Sequence, residues 1–165
     1  MQAYNEAGKG QSTSSSNSSS GILWAGSEKT SGNDPVNNLK EVNIYGKINT
    51  ELDEVDLVNR IIYEDKSAVK LYMDKPDVPQ TEAQWAAKQI YRKGSNRIKA
   101  LQQIEFTLSV NGELLDVNSL KSIKNFVFRI DADTQELKAA VQQELNNLKA
   151  DFPDYNFSAT YGGKQ

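Results

Sequence analysis

The chain has 165 residues, 38% of them apolar, with 19 Lys and Arg against 22 Asp and Glu for a net charge of −3. That length fits one modest domain with a tail rather than two. Histidine and cysteine are both absent, which excludes Ser-His-Asp triads, imidazole acid/base chemistry, HExxH metalloprotease helices, thiol nucleophiles, disulfides and Cys-type zinc sites.

Residues 1–38 are predicted to form a flexible arm or tether. Positions 12–20 hold seven serines in nine, with no apolar side chain to offset an ordering cost of about 1–2 kcal/mol per residue. Ile22, Leu23 and Trp24 follow directly. An apolar cluster between Ser-rich and Gly/Asn/Pro-rich stretches is buried only against its own domain or against a partner, which makes it the candidate docking element. The first residues have neither the basic region nor the apolar core of a secretory signal. A Ser-rich segment suits the tether of a surface lipoprotein as well as an assembly arm.

Residues 39–165 are predicted to be a compact α+β domain, a single mixed sheet with helices packed on one face and the Ser-rich arm before it. Val42 and Ile44 alternate with polar residues and suggest a strand. Thr50 and Asp53 resemble a helix cap, and Leu52, Val55, Val58, Ile61 and Ile62 recur at helical spacing, so a helix is expected here, with a strand over 57–63 as its rival. Asp53, Glu54 and Asp56 then form a solvated acidic face, short of the ligand rhythm of a calcium loop. Val69, Leu71 and Met73 alternate as a strand before Pro76 and Pro79.

Thr81-Glu82-Ala83-Gln84 is a capping box opening a helix that Gly94-Ser95-Asn96 interrupts. Ile104, Phe106, Leu108 and Val110 alternate up to Asn111-Gly112, the signal for a two-residue hairpin pairing Leu108 with Leu115 and Phe106 with Val117. Phe126, Phe128 and Ile130 predict another strand. Asp133 or Thr134 then caps the longest helix, with Leu137, Ala140, Val141, Leu145 and Leu148 on one face and Pro153 beyond it. Tyr155, Phe157, Ala159 and Tyr161 alternate as a last strand, and the pair of strands around this helix suggests a parallel crossover.

Two stretches carry chemical interest. Asp131-Ala132-Asp133-Thr134 resembles the paired aspartates of haloacid-dehalogenase-type phosphoryl-transfer enzymes, but the Thr stands one residue too early, with Gln135 in its place. Capping of the following helix accounts for these acids instead. Between Glu82 and Glu105 there is no acid, while Lys88, Arg92, Lys93, Arg97 and Lys99 supply five positive charges around Tyr91. Such a patch suits a phosphate backbone, a neighbouring subunit, or the acidic 41–78 region of the same chain.

The expected function is therefore a non-enzymatic structural or assembly subunit. It docks protein partners through Ile22–Trp24 and complementary charged surfaces, in a virion-like particle or on a cell surface, with no cofactor, no metal and no membrane span. A tethered extracytoplasmic binding domain is the first alternative. A nucleic-acid-binding module using Lys88–Lys99 is the second and is not favoured over protein partners.

Overall fold

Alternating side chains and two short turns set the first half of the sheet. The computed structural model describes residues 38–73, 80–109, 112 and 114–163. Strands β1 (Asn38–Gly46), β2 (Thr50–Asp56) and β3 (Ile61–Lys66) form an antiparallel meander. The helix expected over 50–62 is thus two strands and a turn. Asp56 is the reason: its carboxylate accepts hydrogen bonds from the Val58 and Asn59 amides at 3.0 and 2.8 Å and from Asn59 Nδ2 at 2.7 Å. A side chain that captures the next amides offers the backbone a turn in place of a helix. Leu52, Val55 and Ile62 are buried as strand residues, whereas Val58 is exposed in the turn. Asp53, Glu54 and Asp56 do not form a solvated face either, since Glu54 and Asp56 are buried.

Alternation in β1 breaks at Glu41, whose φ of 51° lies in the left-handed region. Leu39 and Val42, three apart, are in consequence both buried. After β3 the expected strand over 69–73 is a 3₁₀ turn, Val69–Tyr72. Asp131 accepts from Ser67 Oγ and the Ala68 amide, both at 2.6 Å, and from the Val69 amide at 3.0 Å. This carboxylate therefore caps the 3₁₀ turn rather than the long helix assigned to it from the sequence.

The capping box is present: Thr81 Oγ1 accepts from the Gln84 amide and Gln84 Oε1 from the Thr81 amide. It opens a helical run made of α1 (Glu82–Ala86), a π-helical segment (Ala87–Arg92) and α2 (Lys93–Gln102). Gly94-Ser95-Asn96 does not interrupt it. Buried Ala86, Ile90, Gly94 and Ile98 are spaced by four, a spacing that drifts about 40° per step around an α-helix, and the wider π turn takes out part of that drift. Gly94 is required by close packing, because a Cβ there would lie 3.0 Å from a Leu148 methyl and 3.1 Å from the Phe128 ring.

β4 (Ile104–Leu108) forms as expected but pairs with β1 instead of folding back as a hairpin. The return segment meets Thr107 by a side-chain contact: Thr107 Oγ1 accepts from the Leu115 amide at 2.9 Å and donates to its carbonyl at 3.1 Å. Val117 then starts α3 (Val117–Ser122), capped by Asp116. Val110, Asn111 and Glu113 of the expected hairpin lie outside the described residues.

β5 (Asn125–Ile130), α4 (Gln135–Asp151) and β6 (Asn156–Tyr161) follow the sequence pattern, with Thr134 Oγ1 as the α4 cap. The two strands are parallel neighbours, so α4 is the crossover between them. Among the described residues the sheet has the order β4-β1-β2-β3-β5-β6, parallel between β3, β5 and β6 and antiparallel elsewhere. One core row crosses five strands as Leu39, Val55, Ile62, Phe126 and Phe157. It belongs to the core that also contains Ile90, Ile98 and Leu101 of the first helical run and Leu137, Val141, Leu145 and Leu148 of α4. The fold is an α+β domain built on one mixed sheet.

Candidate functional site

Charge enters the core on β3. Glu64 and Lys66 share the face of Ile62, and the register places them beside Phe128 and Ile130 of β5. Glu64 is only 1% exposed. It accepts from Lys66 Nζ at 2.6 Å and from Arg97 Nε at 3.1 Å, and Asp53 lies 3.5 Å from Lys66. Arg97 also donates to Thr50 Oγ1. A carboxylate shared by a strand lysine and a helix arginine fastens α2 to the sheet. Partial burial, with the nearby charges of Lys66 and Arg97, holds the Lys93 pKa below the ordinary lysine value.

A second cluster lies on the opposite face. Arg129 of β5 donates to Asp65 at 2.6 Å and to Glu54 at 2.8 Å, and stacks 4.6 Å over the Tyr63 ring. Asn38 completes Glu54 with a 2.9 Å hydrogen bond. Burial opposes the Arg129 charge, but its bonds to Asp65 and Glu54 outweigh that and raise its pKa. Beyond the ends of β3 and β5, a hollow of about 220 Å³ opens among Lys66, Ser67, Arg129, Asp131 and Gly163. Burial pushes the Asp131 pKa up, while the bonds from Ser67, Ala68 and Val69 prevail and hold it below the usual carboxylate range. Asp131 therefore contributes stability above the unfolded-state pKa of about 3.9, and that contribution is lost as pH falls through the lower folded-state value. The Asp131→Asn variant should have a lower thermal midpoint at pH 7, with its deficit to the wild type shrinking toward pH 3. A deficit of equal size at both values would show that the charge does not carry the effect.

The structure divides the five candidate basic residues between the surface and the interior. Lys88, Arg92, Lys93 and Lys99 are exposed, and among the described residues none of them makes an ion pair. Arg97 turns inward to Glu64, so part of the expected charge matching with the acidic region takes place inside the domain. Trp85 is buried and donates from Nε1 to the Ser67 carbonyl at 3.1 Å. Ile22, Leu23 and Trp24 lie outside the described residues. Among the described residues no group of acids is placed to hold a metal ion, and no helix is long and apolar enough to cross a membrane.

One apolar surface went unnoticed in the sequence. Tyr45 and Phe106 are paired residues of β1 and β4, on the face opposite Val42 and Ile44, and their rings stack at 4.7 Å. Leu108 joins them on that face, opposite Asn43. Phe106 is 52% and Leu108 37% exposed. In the register of the expected hairpin, Phe106, Leu108, Leu115 and Val117 share one face. In the structure Ile104 is buried, Phe106 and Leu108 are exposed, and Thr107 is buried instead. The register shift between Tyr45 and Gly46 coincides with this change of face. No family model matches the chain, and comparison with curated proteins and with solved structures found no match.

Proposed function

We propose that this chain is a non-enzymatic assembly subunit, of a virion-like or surface-appendage-like structure, that docks on a neighbouring chain through the open face of its sheet. The Tyr45–Phe106–Leu108 surface carries this reading. Stacked aromatic side chains left on an open sheet face, beside an edge strand, have the make-up of a protein-binding surface. The Ile22–Trp24 cluster, apolar and upstream of the sheet, supplies a second anchor in the same reading.

A photoreactive phenylalanine analogue at position 106, in the full chain in the cells that make it, should give an adduct of one discrete mass on illumination. The same analogue at exposed Lys88 serves as the control. Absence of any adduct from position 106 overturns docking through this face. The exposed Lys88, Arg92, Lys93 and Lys99 support the second reading, a nucleic-acid-binding module. A discrete nucleic-acid adduct from position 88, with binding that falls steeply as salt rises, would favour it instead.

A further inference from the structure

We infer that β6 pairs with β6 of a second copy of this chain, antiparallel and centred on Ala159. This names the partner within the assembly reading and rests on it. The sheet has two ends, and they differ. β4 is short, carries Glu105, and has Leu115 hydrogen-bonded against Thr107. Charges, short length and covering segments are the usual protections of an edge strand. β6, at the other end, pairs only with β5 among the described residues. Its sequence, Asn-Phe-Ser-Ala-Thr-Tyr, holds no charge, no proline and no glycine. An unprotected six-residue strand of this kind pairs with whatever extended chain fits it.

The strand itself specifies what fits. From Phe157 to Tyr161 it reads aromatic, hydroxyl, alanine, hydroxyl, aromatic, which is the same in both directions. A two-fold axis perpendicular to the sheet at Ala159 makes the strands antiparallel and keeps both helical layers on one side. Residues directly opposite each other then share a face, as an antiparallel pair requires. Phe157 meets Tyr161 of the second copy on the helix side, Ser158 meets Thr160 on the open side, and Ala159 meets Ala159 at the axis. Aromatic pairs and Ser–Thr pairs are favourable cross-strand neighbours, and no like charges are opposed. The smallest side chain sits where the two copies approach most closely.

The surroundings agree with this arrangement. Ser158 and Thr160 are exposed, while Phe157, Ala159 and Tyr161 are half-buried. Gly162 and Gly163, at φ of 87° and 100°, end the strand after Tyr161. Beside the edge runs a groove of about 700 Å³ lined by Gln135, Lys138, Ala139 and Gln142 of α4 and by Tyr161. Those four α4 positions are i, i+3, i+4 and i+7, one stripe of the helix. It is polar and neutral in balance, with Lys138 paired to Asp133 at 2.5 Å, so the same stripe of a second copy meets it without repulsion.

The test uses the full chain. Light scattering behind size-exclusion chromatography should give twice the chain mass. The Ser158→Lys/Thr160→Lys variant places lysines opposite each other across the axis and should run as a folded monomer that still unfolds in one cooperative transition. Ser158→Glu/Thr160→Lys, which opposes unlike charges, should dimerise again. Because the chain has no cysteine, Ala159→Cys gives a clean covalent readout. Antiparallel partners bring Cα atoms within disulfide reach, so it should cross-link under mild oxidation at least about ten-fold faster than Ser158→Cys, whose like position is offset. An oligomer that survives the double lysine change without an Ala159→Cys cross-link overturns the β6 pairing and leaves assembly to another surface. A monomeric wild type without that cross-link also overturns it, and the position-106 adduct then judges the assembly reading by itself.

Discussion

Replacing Glu64 by alanine is expected to destabilise the fold by about 3–5 kcal/mol, because it leaves a buried ammonium without its counter-charge. Lys66 is 5% exposed in its side chain and has Glu64 at 2.6 Å, with Asp53 more distant at 3.5 Å. It reaches water only by displacing core around Phe128 and Ile130, its neighbours on β5. Arg97, 20% exposed, has more freedom to turn outward. Urea denaturation should show the loss in the midpoint with an unchanged slope. The Glu64→Met/Lys66→Met chain should recover most of it, since apolar side chains of similar length replace the pair without a stranded charge. A single variant within about 1 kcal/mol of the wild type would mean that the pair is well hydrated in solution.

Gly46→Val should cost about 2–4 kcal/mol, for a backbone reason. A Cβ at Gly46 would stand 2.3 Å from the Gln103 carbonyl oxygen, closer than any real contact. The obstacle is main chain, so no rotamer relieves it, and the Gly46–Ile104 pairing has to open. Hydrogen exchange should localise the damage: β4 amides lose protection while β5 and β6 keep theirs. The Tyr45–Phe106 stack rests on the same pairing, so adduct formation from position 106 should fall with it. Full β4 protection in the variant would show that the two backbones have room to part.

What could be read from the chain follows the range of the interactions involved. β5, α4 and β6 declare themselves because strict alternation, a Thr cap and an apolar stripe all lie within their own segments. The capping box at Thr81 is local in the same way. The helix expected over 50–62 fails because Leu52, Val55, Val58, Ile61 and Ile62 fit a helical period as well as two strands do, and Asp56 decides between them. Asp131 acts on Ala68 and Val69, 63 and 62 residues away in sequence, which no window along the chain reveals. The hairpin expectation gave the partner of β4 to the neighbouring segment instead of β1, and its turn residue Asn111 lies outside the described residues.

The candidate surfaces divide in the same manner. Five clustered bases are visible as composition, yet only the fold shows Arg97 committed to Glu64. Glu64 and Lys66 become core-facing once 61–66 is a strand, since they follow Ile62 at period two. Tyr45 and Phe106 lie 61 positions apart, and nothing but the β1–β4 register brings their rings together. Ile22–Trp24 stands out by its contrast with the serines before it and lies outside the described residues.

The difference between the two ends of the sheet sets how far growth can go. Strand addition at both ends of a sheet makes an open fibre, because every added copy presents a fresh edge. The proposed joining at β6 would consume the one compatible edge among the described residues of each copy, and what faces outward afterwards is β4, with Glu105 and the Thr107–Leu115 contact. An isologous pair of this kind is closed at two. A larger particle then has to be built from other contacts, and the aromatic face of β1 and β4, presented near both outer ends of the doubled sheet, gives it a separate direction in which to extend.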